Sequence, residues 1–268
     1  MTWDDMQPLL QTATRETLYM VGVAALVTLL VGLPVGVLLV LTDRGGLLAN
    51  RPVNKAVGAV VNIGRSLPFI ILMVAIIPFT RWVAGTTLGW QAATVPLAVG
   101  AVPFFARLVE ASVREVDPGL VEAVQAMGGS TWTVVRKALL PEALASLVAG
   151  LTTTVIALVG YSAMAGTVGG GGLGTLAVNY GYMRFETGFM VVIVIELVIL
   201  VTLVQLVGDV AVRRLSHRGS GPVRLLRRRR AAAAPQSTPT GGEAPDPGPA
   251  ATGADGDPAA ARPASSPR

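Results

Sequence analysis

Charged residues divide the first two hundred or so positions into long apolar stretches. Thr17 to Thr42 carries no charge, and neither does Trp82 to Ala106. Each is long enough to cross the ~30 Å hydrocarbon layer of a bilayer as a helix. Ser66 to Thr80 is also charge-free, and its apolar character runs back through Arg65 to about Ala56. Ala143 to Met183 is uncharged throughout, too long for one crossing and interrupted by glycines. Thr187 to Gly208 is apolar except for Glu196. The pattern predicts an all-α polytopic membrane protein with five spans, at about 16–41, 57–80, 88–108, 145–167 and 187–209. Asp4 and Asp5 stand where a signal peptide would carry positive charge, so no cleavable signal is expected.

Composition agrees with that pattern and narrows the chemistry. Of 268 residues 52% are hydrophobic and 14% charged, against about 25% charged in a soluble domain. Cysteine is absent and His217 is the lone histidine, which excludes disulfides, thiolate nucleophiles and cysteine-ligated metals. The net charge of +5 is unevenly placed. Residues 1–217 come to +1 and residues 218–268 to +4, and the latter hold nine of the 18 prolines and no aromatic residue. That composition predicts a disordered tail from 218 to 268, after an N-terminal segment 1–15 and a membrane domain 16–217. The Arg227–Arg230 run directly after a span reads as a contact with anionic membrane lipid rather than with nucleic acid. Lys and Arg collect in the loops after spans one and three and in the tail, so the positive-inside rule puts the N-terminus outside and the C-terminus in the cytoplasm.

The longest loop on the cytoplasmic side, about 109–144, carries the most local information. Asp117-Pro118 reads as an N-cap with proline at the first helical position, and Gly128-Gly129 ends the helix that follows. Ser130 caps a second short helix, with Arg136 and Lys137 near its C-terminal dipole, and Pro141 marks the return to span four. A helix pair of this kind either projects as a knob or merely joins two spans. In a knob, Gly128 is expected to supply close approach and Pro141 stiffness.

Glu122-Ala123-Val124, three residues, Gly128, nine residues and then Ala138-Leu139-Leu140-Pro141 resembles the EAA signature of ABC importer permeases. Val124 stands in place of an alanine there, and Ala138 in place of a branched aliphatic. Asn62 to Leu72, Val159 to Gly166 and Asn179 to Tyr182 are similar to segments of the methionine permeases of that family. The resemblance covers residues 10–217 and implies the type I ABC importer fold, in a multi-pass protein of the bacterial cell membrane. It implies a homodimer working with two copies of an ATPase subunit and an extracytoplasmic substrate-binding lipoprotein. On it, Glu122, Ala123, Gly128, Leu140 and Pro141 lie at the ATPase contact. Methionine, in its D or L form, is then imported by alternating access; a sister subfamily would carry another amino acid. The resemblance makes this chain a transporter subunit and not an enzyme. It binds no cofactor itself, and ATP and Mg belong to the partner.

Several features stand outside the signature. Gly169, Gly171 and Gly174 satisfy a dinucleotide-binding spacing, but a membrane helix precedes them where a strand is required, and Thr167–Gly174 reads as a flexible outer turn. The two lysines, Lys55 and Lys137, do not follow glycine, so the chain contains no P-loop and any ATPase is a separate polypeptide. Arg65 and Glu196 are the ionisable groups deepest in the expected spans, and such residues are functional candidates by default. Arg65 is placed near the cytoplasmic end, where it can snorkel or touch solute. Glu196 sits mid-span, facing the dimer interior, pairing with a helix or taking a proton. Tyr161, Ser162 and Met164 are candidates for the pathway or a gate, with plain packing the other reading of Met164. A proton-coupled secondary transporter using Glu196 stays open, whereas an enzyme would need paired carboxylates or a histidine cluster.

Overall fold

A computed structural model describes residues 3–219; the expected tail, beyond Gly219, lies outside the described residues. Everything described is helix and connecting turn, with no strand. Ten α-helices follow in order: α1 (Trp3–Leu41), α2 (Arg51–Ser66), α3 (Phe69–Ala75), α4 (Ile77–Ala84), α5 (Trp90–Arg114), α6 (Pro118–Ala126), α7 (Thr131–Val134), α8 (Leu140–Ala165), α9 (Gly172–Leu176) and α10 (Thr187–Gly219). A π turn, Val135–Leu139, fuses α7 to α8, giving one helical run from Thr131 to Val168. Four helices are long and apolar enough to cross a membrane, and α2 with α3 makes a fifth span if the pair is counted as one.

Three boundaries differ from the pattern for clear physical reasons. The expected second span, 57–80, is not a continuous helix, because α2 and α3 meet at 106°. Pro68 has no N–H to continue the ladder and pushes Leu67 into an extended conformation, φ −82° and ψ 126°. From Trp3 onward the expected N-terminal segment is helical and continuous with the first span in α1, where polar residues hide a helix from a hydropathy window. The helical run that carries the fourth span starts at Thr131, ahead of 145, and its first turns are anchored by the buried Val134, Val135, Ala138 and Leu139.

The core is organised along α1 and α5. Gly32 and Gly36 form a small-xxx-small pair on α1 that brings the two backbones together. A Cβ at Gly36 would lie 2.5 Å from the Ala106 carbonyl oxygen, and one at Gly32 would lie 2.9 Å from the Phe105 ring. At one end of the bundle Met20, Leu97 and Leu158 pack with Phe69, whose ring stacks on Tyr161 at 4.7 Å. At the other end Phe105, Val109, Val134 and Leu147 are buried together and seat the base of α7 and α8 on α1 and α5.

Candidate functional site: a projecting helix pair and two polar clusters

The helix pair after α5 forms as its caps dictate. Asp117 Oδ1 accepts from the Gly119 N–H at 2.9 Å, and Pro118 opens α6. Ser130 Oγ accepts from the Thr133 N–H at 3.4 Å and starts α7. Between them, the Gly128 N–H bonds the Gln125 carbonyl at 2.8 Å and the Gly129 N–H bonds the Val124 carbonyl at 2.9 Å. Those two bonds and a φ of +78° at Gly128 make a Schellman ending.

This geometry reassigns the glycines. A Cβ at Gly128 would meet nothing within 4 Å, so the residue supplies a left-handed backbone and not closeness. Close approach belongs to Gly129, where a Cβ would lie 2.6 Å from Val124 Cγ1 and 2.7 Å from the Val124 carbonyl oxygen. Val124, a departure from the signature, is what fills that space. Ala138, the other departure, is buried in the π turn. Arg136 and Lys137 lie within this π turn, so no free helix C-terminus stands beside them. The π turn is also where Pro141, which cannot donate to the carbonyl four residues back, is absorbed.

The pair is anchored on one side and bare on the other. No residue of α6 is buried, and Glu122 and Ala123 are exposed. Met127 is 79% and Trp132 68% exposed, a large apolar surface for a polar end of a bundle. Leu140 is half-buried and Pro141 exposed at the start of α8. The five signature positions therefore share one short stretch of structure.

A charge network lies beside the pair and escaped the sequence reading. Glu110 is buried and accepts from Arg107, while Arg114 bonds Glu110 at 2.8 Å and Asp43 at 2.7 Å. Arg107 also donates to Asn62 Oδ1 at 2.8 Å, so α2, α5 and the turn after α1 are tied together. The Asp43 carboxyl is held below the usual carboxylate range, first by the Arg44 N–H and then by the Arg114 guanidinium. Arg107-x-x-Glu110-x-x-x-Arg114 has the spacing of helical ion pairs and is the signal that could have found it.

A second cluster joins α1 to the glycine-rich segment at the other end. Glu16 accepts from the Gly172 N–H at 2.7 Å, and the Thr17 hydroxyl accepts from the Leu173 N–H at 3.0 Å. Gly169, Gly171 and Gly172 all have positive φ, and Leu173 and Gly174 are buried. A Cβ at Gly166 would lie 2.3 Å from the Gly174 backbone. Thr167–Gly174 is thus not a flexible turn but a tightly packed one that glycine alone permits.

Remaining expectations divide. Glu196 accepts from the Thr14 hydroxyl, so of the readings open to it the structure supports pairing with a neighbouring helix. Ser162 is buried with its hydroxyl on the Val159 carbonyl at 2.7 Å, and it faces no open surface. Tyr161 is half-buried against Phe69, and Met164 is 40% exposed. Arg65 is exposed and follows Gly64, whose Cβ would lie 2.8 Å from Pro103, one turn of α5 before Arg107. Asn62, three residues earlier, accepts from Arg107, so Arg65 stands within about a turn of the charge network at that end of the bundle.

Long apolar helices, a broken second span and a capped pair projecting from one end define a polytopic membrane transport subunit. Residues 32–218 match the family described as binding-protein-dependent transport system inner membrane component, and the chain belongs to that family. The probable D-methionine transport system permease protein MetI of Vibrio cholerae is 54% identical over 210 residues, covering 78% of this chain and 93% of that protein. The methionine import system permease protein MetP of Bacillus subtilis is 43% identical over 209 residues, 78% of this chain and 94% of its own. Among solved structures, inward-facing conformations of the MetNI methionine ABC transporter match with a TM-score of 0.78 and 50% identity, over 80% of this chain and 99% of that chain. An amino acid ABC transporter crystallised with histidines matches with a TM-score of 0.64 at 18% identity, over 78% and 94% of the two chains, a likeness of fold. The fold is that of a type I ABC importer permease.

Proposed function

We propose that this chain is the membrane subunit of an ATP-driven importer of methionine, in its D form, its L form or both. The observation that carries the reading is a capped, apolar-faced knob with the importer signature in a chain 54% identical to a methionine permease. Two copies of the chain form the membrane body, since five spans are too few to enclose a gated path and a two-fold dimer is the simplest closure. Two separate ATPase subunits bind ATP and Mg and receive α6 and α7, with Glu122, Ala123, Leu140 and Pro141 at or beside the contact and Gly128 shaping it. An extracytoplasmic binding protein delivers the solute. The knob and C-terminus face the cytoplasm, the orientation that the distribution of Lys and Arg favours.

Movement is transmitted because the knob is rigid and rooted. Val134 and Leu139 are buried against α1 and α5, so a push on α7 moves the α8 run as a body. Residues 218–268 lie outside the matched span apart from its last position, and transport is expected to survive their removal. The test is co-purification of the intact chain with an ATPase, followed by competition of labelled methionine uptake by other amino acids. Strong competition by methionine alone supports the assignment, and equal competition by a different amino acid overturns it.

A further inference from the structure

An apolar groove of about 410 Å³ opens beside the knob, between α1 and the run of α7 and α8. Leu33, Leu38 and Leu41 of α1 line one side, Trp132 and Leu140 the other, and Leu48 of the turn after α1 adds to the lining. The α1 side continues away from the knob as an exposed apolar stripe through Leu30, Leu26, Val23 and Tyr19, each three or four residues from the next. On a membrane helix such a stripe faces acyl chains, so the groove is the end of a lipid-facing surface.

Depth and charge say which lipid fits. Tyr19 lies against Trp90, ring centroids 5.6 Å apart, and such rings mark a membrane–water boundary. From Tyr19, Leu33 is about 21 Å along the helix and Leu41 about 33 Å, at 1.5 Å per residue. Across ~30 Å of hydrocarbon the groove thus runs from inside the leaflet on the knob side to its surface, where Trp132 stands 68% exposed. Trp132, Arg136 and Leu140 recur every four residues, and the wider π turn brings that spacing closer to a full turn. Arg136 therefore sits on the groove side between two lining residues. It is exposed, and no described residue bonds or pairs with it. Arg44 is exposed in the turn that joins Leu41 to Leu48. Asp43 is already paired with Arg114 at 2.7 Å, and Glu142 falls two residues past Leu140, on the far side of α8. The polar end of the groove is therefore positive.

We propose that this groove holds an anionic phospholipid of the leaflet on the knob side, with one acyl chain along Leu33 to Leu41 and its phosphate between Arg136 and Arg44. A phosphodiester accepts from both guanidinium groups, and Trp132 lies at the level of the glycerol esters. One cation belongs to the knob and the other to the turn after α1, so the bound lipid braces the knob against α1. The site concerns the membrane and stands whichever solute the chain carries.

The test uses the complete transporter in phosphatidylcholine nanodiscs doped with a small fraction of lipid brominated along its acyl chains, which quenches nearby indole fluorescence. The emission lost in Trp132→Phe defines the share of Trp132. A cation near the phosphate is worth about fivefold in affinity for an anionic lipid, so brominated phosphatidylglycerol should be preferred about 25-fold over brominated phosphatidylcholine at Trp132. Arg136→Gln should lower that preference about fivefold, and Arg136→Lys should keep most of it. Raised salt should weaken it with no substitution at all. Equal quenching by the two lipids in wild type overturns the site, as does a preference that survives in Arg44→Gln/Arg136→Gln. Absence of quenching by either lipid also overturns it, because Trp132 is then covered by the ATPase or by a second copy.

Discussion

Replacing Gly128 and Gly129 separately distinguishes backbone strain from close packing in the knob. Gly128 has φ +78° and open space around it, so a side chain there meets no atom but holds a left-handed backbone. For an L residue that conformation costs about 1–2 kcal/mol, and asparagine tolerates it better than alanine or leucine. Loosening of α6 by that amount speeds amide exchange at its C-terminal turn roughly 5- to 30-fold. Gly129 faces the opposite problem, because its added Cβ meets the Val124 carbonyl, which no rotamer change can move. Overpacking of this kind costs about 1–3 kcal/mol and displaces α6 itself. Hydrogen exchange of Gln125–Gly129 in the intact transporter, paired with ATP-driven uptake, reads both effects. The expected order of damage is Gly128→Asn, then Gly128→Ala, then Gly129→Ala, with the membrane helices unchanged in exchange. Wild-type exchange in Gly128→Ala would refute the strain argument, and a Gly129→Ala milder than Gly128→Ala would refute the packing argument.

Three further outcomes follow from the same geometry. Gly36→Val should destabilise the bundle by about 2 kcal/mol or more, since the backbones of α1 and α5 have no room to part locally; thermal unfolding in detergent checks this. Glu16→Ala removes a carboxylate from the Gly172 N–H and should cost about 1.5–3 kcal/mol of local order, read as faster exchange at Gly172 and Leu173 with α6 unaffected. Asp43 has a folded carboxyl below its unfolded value of about 3.9, so its stabilising tie to Arg114 is present above about pH 4 and fades as pH falls through the lowered value. Asp43→Asn should flatten the part of the acid unfolding profile below about pH 4, and an unchanged profile would show that the tie contributes nothing.

The residues that were legible in the sequence are those whose signals are local. Charge-free runs marked the spans, and Asp117-Pro118, Gly128-Gly129 and Ser130 marked the knob, because caps and helix ends act within four residues. Pro68 was equally visible, yet hydropathy ran straight through it and concealed a 106° bend. Apolarity reports burial in lipid and says nothing of direction. Glu16 and Thr14 were hidden for another reason: their partners, Gly172 and Glu196, lie more than 150 residues away in the chain. Only the pairing of α1 with α9 and α10 brings them together. The close packing at Gly129 was not legible because it depends on Val124, one of the two positions that depart from the signature.

The energy source is the point on which the account stands most directly. Purified chain, reconstituted with its ATPase and binding protein, should take up labelled methionine only with ATP inside the partner's reach, and vanadate should stop it. A proton gradient alone should drive none. Uptake that persists without ATP and collapses with a protonophore would contradict the account and return Glu196 to the centre of the mechanism.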